Sequence, residues 1–228
     1  PTDGDDRDAT FQLRPGVAVY GGFAGVETGR DARDVEQNRT TLSGDIGRRG
    51  DSTDNARHVA TGADNALLDG FTVCDGFAMD GGGPGPAGRP PAGRSGPPGR
   101  QPIHSSPEAI LSGPNPSFGA GMVNFQCAPT VRNCTFSNNR AGKGGAVYNM
   151  ASRNFPPRPD SAAAAPLFQN CRFLDNRARG RGGAVANDLG TSPTLRGCEL
   201  RRNSCDEKGG ALYNDFGCSP TLVNCLFA

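Results

Sequence analysis

The chain has 228 residues, with 34 Gly, 19 Pro, no Trp and only 35% apolar residues. Its formal net charge is +1, which gives no electrostatic reason to expect a nucleic acid or a membrane surface as a partner. No apolar run approaches the roughly 20 residues that a membrane-spanning helix needs. The length suits one elongated domain, and Gly and Pro recur at fixed places. We therefore interpret most of them as corners of a repeat rather than as low complexity.

Residues 1–79 predict the N-terminal coils of a solenoid. Short runs of alternating or β-branched residues that end at Gly, Asp or Asn are typical of strands. The charged stretch 27–38 predicts a short helix or an excursion loop. Leu68 takes the place that Val131 holds in a later repeat, so the repeat begins to be recognisable there. The predicted strands are 10–13, 17–23, 40–46, 58–61 and 66–73.

Residues 80–116 interrupt the repeat with a Pro/Gly-rich inserted loop that also contains several Arg. Its Gly-x-y frame breaks at Pro91, which argues against a collagen triple helix. We interpret the segment as a solvated, extended loop. A second Pro-rich insertion, 154–165, lengthens one repeat. Because long loops are usually held by packing, we expect a protein partner or a neighbouring β-helix coil at the 80–116 loop and at the chain ends.

Residues 117–228 carry the regular repeat and continue the same domain. The motif Gly-Gly-Ala, followed by Val or Leu, begins at Gly144, Gly182 and Gly209, and the last two copies are 209 − 182 = 27 residues apart. A fixed period of this size is typical of a solenoid in which each unit buries its apolar face by stacking on its neighbours. The sequence therefore predicts coils of about 27 residues.

Residues two apart on a strand share a face, and this rule predicts which positions point inward. Between the recurring Cys and Phe positions lies a site whose residues have nothing chemical in common, which indicates an outward position. The prediction is an all-β fold, a right-handed parallel β-helix with three short strands per coil. The residues predicted to face inward are Cys134, Cys171, Cys198, Cys225, Phe136, Phe173, Leu200, Phe227, Val131, Leu167, Leu195 and Leu222. Those predicted to face outward are Arg132, Phe168, Arg196 and Val223.

Asn recurs at two corners of the predicted coil. Asn tolerates left-handed backbone geometry, and its side-chain amide can bond the equivalent amides above and below. A ladder of this kind would satisfy the polar groups of a buried bend, so we interpret these residues as structural. The first column is Asn124, Asn149, Asn187 and Asn214, and the second is Asn139, Asn176 and Asn203.

Eight Cys invite a disulfide interpretation, but their spacing favours another one. The inward column of Cys134, Cys171, Cys198 and Cys225 has apolar neighbours, and Phe71 takes the equivalent place in an earlier coil. We interpret the column as buried free thiols that pack as small hydrophobes. The absence of any Cys-x-x-Cys pair gives little support to a zinc site. The disulfide state of the remaining four, Cys74, Cys127, Cys205 and Cys218, stays open at this point.

The Gly-Gly-Ala motif combined with Phe-x-x-Asn resembles a known family. The copies at 144–147, 182–185 and 209–212, with Phe-x-x-Asn at 136–139 and 173–176, resemble the paired repeats of the polymorphic outer membrane proteins. The leading segment resembles the first coils of large secreted right-handed β-helix proteins. The resemblance implies an extracellular or cell-surface passenger domain. It does not fix an activity, because such motifs specify coils. Separately, the open coil at the C-terminal end predicts either a fragment of a longer protein or a second chain that covers that end.

The first functional hypothesis is a non-enzymatic structural or adhesive module of a larger surface protein or assembly. The alternative is a carbohydrate-active enzyme, a polysaccharide lyase or hydrolase on the same fold. Such a site needs converging carboxylates, a basic side chain and often calcium. The candidates for it are Asp188 and Asp215, stacked one coil apart, with Arg181 and Lys208. Together with Lys143, the last two also form a basic column that would suit a polyanion.

The thiol interpretation can be tested directly. Titration of thiols in the denatured, unreduced protein should find at least four free Cys, because the inward column has no reason to be oxidised. The finding of no free thiol would overturn the interpretation.

Overall fold

The computed structural model describes residues 6–79, 116–151 and 165–228. Both predicted Pro-rich insertions, 80–116 and 154–165, lie outside these residues except for the last residue of each. Within the described ranges the chain forms 22 short strands and one turn of 3-10 helix, Arg30–Ala32. No helix in these ranges is long and apolar enough to cross a membrane.

The strands form four parallel sheets, one along each side of the coil stack. Sheet A contains β1 (Phe11–Gln12), β4 (Ala60–Thr61), β8 (Met122–Phe125), β12 (Val147–Met150), β16 (Val185–Asp188) and β20 (Leu212–Asn214). Sheet B contains β2 (Ala18–Tyr20), β5 (Leu67–Asp69), β9 (Thr130–Arg132), β13 (Leu167–Gln169), β17 (Thr194–Arg196) and β21 (Thr221–Val223). Sheet C contains β3 (Thr40–Ser43), β6 (Phe71–Cys74), β10 (Thr135–Ser137), β14 (Arg172–Leu174), β18 (Glu199–Arg201) and β22 (Leu226–Phe227). Sheet D contains β7 (Phe77–Ala78), β11 (Arg140–Ala141), β15 (Arg177–Ala178) and β19 (Ser204–Cys205).

Each strand inside a sheet pairs with the equivalent strands of the coils on either side, and each edge strand pairs on one side. Each pairing is parallel, and β10, for example, lies between β6 and β14. The predicted all-β parallel β-helix solenoid is therefore confirmed. The expectation of three strands per coil is wrong by one, because the regular coils carry a fourth strand of only two residues in sheet D. A strand that short gives no period-2 pattern from which it could be predicted.

The apolar core fills the inside of the stack, and one inward assignment needs correction. Phe168, predicted to face outward, is fully buried and pairs in register with Val131. Leu167, predicted to face inward, pairs with Thr130 on the outer face. Both positions are apolar, so hydrophobicity could not choose between them, and a slip of one residue exchanges the two faces. The aromatic ring that enters the core packs edge-on against Phe173, with 5.9 Å between ring centroids.

The Gly-Gly motif is a corner, and each Gly has its own reason. The first Gly has a left-handed backbone, with φ of +62° at Gly144, +69° at Gly182 and +72° at Gly209. The second Gly lies where backbone crowds it, since a Cβ at Gly183 would overlap the carbonyl oxygen of Gly210. Only Gly meets both conditions without strain.

The Asn side chains of sheet A form a hydrogen-bonded ladder through the interior. Asn124 donates to Asn149 at 2.8 Å, Asn149 donates to Asn187 at 2.8 Å, and Asn187 donates to Asn214 at 2.7 Å. The first three are at most 1% exposed. The Nδ2 donors therefore pair away from water, which such a buried position requires.

The second ladder lies at the corner between sheets C and D and bonds both backbone and side chain. Asn176 Oδ1 accepts from the backbone N–H of Asn139 at 3.1 Å and from its Nδ2 at 3.0 Å. Asn203 Oδ1 accepts the same two bonds from Asn176, at 3.0 Å each. The Asn176 Nδ2 also donates to the Phe136 carbonyl at 2.9 Å. The Asn176 side chain thus bonds polar groups at the bends of adjacent coils.

All eight Cys are free thiols in the structure. In the inward column, Cys134, Cys171 and Cys198 are at most 2% exposed. Each thiol reaches the backbone carbonyl two residues before it and one in the preceding coil, as Cys171 does with Gln169 and Val131 at 3.4 Å. Burial raises the pKa of the Cys134 thiol to about 12, so this thiol stays protonated at neutral pH.

Replacement of Asn176 by Ala should destabilise the protein by about 3 kcal/mol or more, because it leaves the Asn139 N–H and the Phe136 carbonyl buried without partners. Urea unfolding followed by circular dichroism measures the loss. The control is Ser204→Ala, at an exposed position one residue after the ladder, where we expect less than about 0.5 kcal/mol. Equal effects of the two substitutions would contradict a structural role of the ladder.

Candidate functional site

The outer face of sheet A carries the residues that alternate with the inward Val and Asn side chains. On β12 these are Tyr148 and Met150, and on β16 they are Ala186 and Asp188. The Gly-Gly corner folds the chain back against the strand that follows it. The residue before each corner therefore lies over this face, as Phe118 does against Tyr148, with 4.9 Å between ring centroids.

Lys143 precedes the corner at Gly144 and extends across the face to the next coil. Its Nζ donates to both oxygens of Asp188, at 2.7 Å to Oδ1 and 2.5 Å to Oδ2. The hydroxyl of Tyr148 donates to Asp188 Oδ2 at 2.6 Å. Asp215, one coil further on, lies 3.7 Å from the same Nζ. These four residues are called the Lys143 cluster below.

The cluster is largely removed from water. The side chains of Lys143 and Asp188 are 12% and 9% exposed, whereas that of Asp215 is 38% exposed. The ammonium also lies 5.2 Å from the centroid of the Tyr213 ring and 5.9 Å from that of Tyr148. Two charges taken out of water need good mutual geometry and further hydrogen bonds, and both are present here.

Within the cluster the pKa values of Tyr148 and Asp215 are shifted in opposite directions. Burial, helped by the charge of Asp188, raises the pKa of the Tyr148 hydroxyl well above its usual range, so Tyr148 remains a proton donor. Partial burial works to raise the pKa of Asp215 as well. The Phe216 amide, which donates to it at 2.9 Å, and the charges of Lys143 and Arg181 outweigh burial and lower that pKa.

The predicted carboxylates do meet, but their basic neighbour is a different one. Asp188 and Asp215 occupy equivalent places in adjacent coils, and Lys143 bridges them. Arg181 turns to Glu207 at 3.1 Å and to the Tyr213 hydroxyl at 2.8 Å. Lys208 makes no ion pair with any described residue. The sequence identified Lys143 only as part of a column, because its reach into the next coil depends on the corner.

Two of the hypotheses drawn from these residues fit the geometry poorly. Calcium needs several free oxygen ligands, but both oxygens of Asp188 are occupied by Lys143 and Tyr148. In the described ranges, no three His, Cys, Asp or Glu side chains are placed to hold a metal ion. Two of the three members of the basic column, Lys143 and Arg181, are paired with acidic groups, so only Lys208 offers an unpaired charge to a polyanion among the described residues of the column. Arg177, beside it, pairs with Asp206 at 2.6 Å.

A second site lies on the outer face of sheet C, where residues 33–39 form a wall. The wall is fixed from beneath by a buried ion pair between Arg33 and Asp69, at 2.8 Å with side chains 13% and 5% exposed. Asp69 also accepts from the Asn133 amide at 2.8 Å. The loop therefore stands in a defined position.

Two glycines let this wall approach the sheet. A Cβ at Gly22 or Gly70 would lie 2.7 or 2.6 Å from Cγ1 of Val35, and both glycines have positive φ. The sequence predicted a short helix or an excursion loop at 27–38, and the structure has a turn of 3-10 helix at Arg30–Ala32 followed by the wall. The contact of the wall with the sheet was not predicted. The ion pair between Arg33 and Asp69 does not belong to the repeat, so the repeat could not be used to predict it.

Between the wall and the sheet runs a polar groove, formed by two adjoining cavities of about 220 and 250 Å³. Thr72, Thr135 and Arg172 stand in register on its floor, one from each successive coil. Arg172 lies 3.6 Å from Glu36 of the wall and 3.4 Å from Glu199. The groove thus offers hydroxyls and a loosely paired guanidinium, which can bind hydroxyl or carboxylate groups of a ligand.

The coil stack and its Gly-Gly corners define a parallel β-helix repeat protein. Residues 133–150 match the model of the Chlamydia polymorphic membrane protein repeat. The matched segment contains β10, β11, β12 and the corner at Gly144, so the resemblance seen in the sequence is confirmed for this coil. Comparisons with curated proteins and with solved structures gave no match.

Replacement of Asp69 by Ala should release the wall, because it leaves the Arg33 guanidinium buried without its partner. We expect a loss of about 3 kcal/mol in unfolding free energy and faster amide exchange in 33–39. The matched control is Asp31→Ala, which removes an ion pair with Arg30 whose side chains are 91% and 58% exposed. That change should cost less than about 1 kcal/mol. Unchanged exchange in the wall of the Asp69 variant would contradict the anchoring role.

Proposed function

We propose that the chain is a non-enzymatic structural and adhesive module of a larger extracellular or cell-surface protein. The match to a repeat of a Chlamydia membrane protein supports this placement. The recurring residues support it as well, since the Gly, Asn and Cys columns serve corners, ladders and core. What remains free to recognise a partner is the outer surface, where the coils differ from one another.

The observation that carries the proposal is the occupied state of Asp188. A carboxylate that acts as general acid or base must reach the substrate with at least one oxygen. Both Asp188 oxygens are engaged by Lys143 and Tyr148, and the residue is only 6% exposed. This arrangement favours a structural role for the cluster over the polysaccharide lyase or hydrolase alternative.

The adhesive contact is assigned to the groove on sheet C. Its wall is held in advance by the Arg33–Asp69 pair, so little ordering is needed when a ligand binds. Its floor of Thr hydroxyls and Arg172 suits a polysaccharide. A protein partner or a neighbouring β-helix coil is proposed for the chain ends and for the 80–116 loop.

The enzyme alternative is tested by incubation of the purified chain with uronate-containing polysaccharides and calcium. The expected result is no release of oligosaccharides, measured by chromatography of reducing ends. Cleavage that disappears in an Asp188→Ala, Asp215→Ala double variant would overturn the non-enzymatic proposal. Asp215→Asn alone is the folding control. It removes the charge of a side chain that is 38% exposed and keeps its shape, so a loss of cleavage in this variant is not caused by misfolding.

Adhesion is tested by binding of the labelled chain to an array of acidic and neutral polysaccharides. Replacement of Arg172 by Ala should weaken binding by about tenfold, as expected for a central Arg contact. Arg140→Ala is the matched control, since Arg140 is exposed on β11 of sheet D and lines neither cavity of the groove. Equal losses in the two variants, or no binding to any polysaccharide, would contradict the assignment to the groove.

A further inference from the structure

The chain uses Arg almost everywhere that it needs a positive charge. Of its 24 basic residues only Lys143 and Lys208 are lysines. Lys208 is exposed, whereas Lys143 is in contact with a buried carboxylate. A guanidinium would serve a buried ion pair better, because its planar fork matches a carboxylate and is less strongly hydrated. A primary amine at this place has one property that a guanidinium lacks, since it becomes a nucleophile once it has lost a proton.

The geometry around Lys143 is that of two groups poised to react. Nζ lies within 2.7 Å of both Asp188 oxygens, so the carboxyl carbon between them is also within contact distance. Reacting atoms held at contact distance gain the equivalent of a high local concentration, and a rotation of the carboxyl group turns its face towards Nζ. The surrounding rings of Phe118, Tyr148 and Tyr213 limit access of water to the pair.

We propose that Lys143 and Asp188 condense to form an intramolecular amide cross-link between adjacent coils. The Lys143 Nζ is the nucleophile and the carboxyl carbon of Asp188 is the electrophile. Asp215 carries protons between them, and the Tyr148 hydroxyl stabilises the oxygen on which negative charge develops.

The steps balance without any further reagent. Asp215 removes one proton from the Lys143 ammonium and passes it to the Asp188 oxygen that Tyr148 does not hold, so that a neutral amine meets a neutral carboxyl group. The amine attacks the Asp188 carbon after that carboxyl group rotates its face towards Nζ. A C–N bond forms, and the electron pair of the C=O bond moves to the oxygen held by Tyr148. The C=O bond then re-forms, and the protonated oxygen leaves as hydroxide with the electron pair of its C–O bond. This hydroxide takes the second proton from nitrogen, so the products are one amide and one water.

The energetics favour the product in this environment. A buried ion pair retains much of the cost of removing two charges from water, and a neutral amide carries no such cost. Asp215 is placed for its role because its carboxylate lies 3.7 Å from Nζ and is 38% exposed, whereas Asp188 is largely buried. The Tyr148 hydroxyl is already bonded to Asp188 Oδ2 at 2.6 Å, the position that a stabilising donor requires.

The decisive measurement is the intact mass of the full chain, denatured and fully reduced. The expected mass is lower than that of the sequence by one water. Proteolysis should yield one branched peptide that joins the segment around Lys143 to the segment around Asp188, and trypsin should not cleave after Lys143. A wild-type mass equal to the sequence mass after prolonged incubation would overturn the proposal, and so would a branch at any other pair.

Variants separate the cross-link from the ion pair. Lys143→Arg keeps the charge but should restore the full sequence mass, whereas Lys208→Arg should leave the loss of water unchanged. Asp215→Asn should slow the appearance of the branched peptide by at least tenfold, and an unchanged rate would overturn its assignment as proton carrier. The wild-type mass decides the cross-link itself even where a variant fails to fold.

Discussion

The coil stack depends on hydrogen bonds between equivalent Asn side chains of successive coils. The strands have two to four residues, and at the corner between sheets C and D the backbone N–H of Asn139 and the carbonyl of Phe136 find their partners in the side chain of Asn176. The amide of Asn176 bonds in both directions, to the coil before and to the coil after. The apolar columns can then pack in register, since the ladders fix the rotation of each coil relative to the next. The Asn ladders at the corners therefore help to hold the sheets and the core in register.

Much of this fold could be predicted because a solenoid turns sequence spacing into spatial contact. Residues 27 apart are neighbours in the regular coils, so the columns of Asn and Cys were visible in the sequence itself. Prediction failed where an insertion broke the spacing. Beyond it, Leu167 and Phe168 offered two equally apolar choices, and only the pairing with β9 decides between them.

The candidate site was predictable only in part, for the same reason. Asp188 and Asp215 stack because they hold the same place in two copies of the repeat. The hydrogen bond from Lys143 to Asp188 runs from a corner to the next coil. The repeat period of the sequence does not indicate how far the Lys143 side chain extends. The wall on sheet C was beyond prediction because the contact between Arg33 and Asp69 has no copy in the other described coils.

The contact between Lys143 and Asp188 joins residues that are 45 positions apart, so it closes a loop of more than one coil. A solenoid pulled from its ends unravels coil by coil, and each released residue adds about 3.4 Å of contour. A covalent bond at this contact would withhold about 150 Å of extension from the chain. The stack would then carry tension across that coil through side chains rather than through hydrogen bonds. Under load, this bond would set where elongation of the stack must stop.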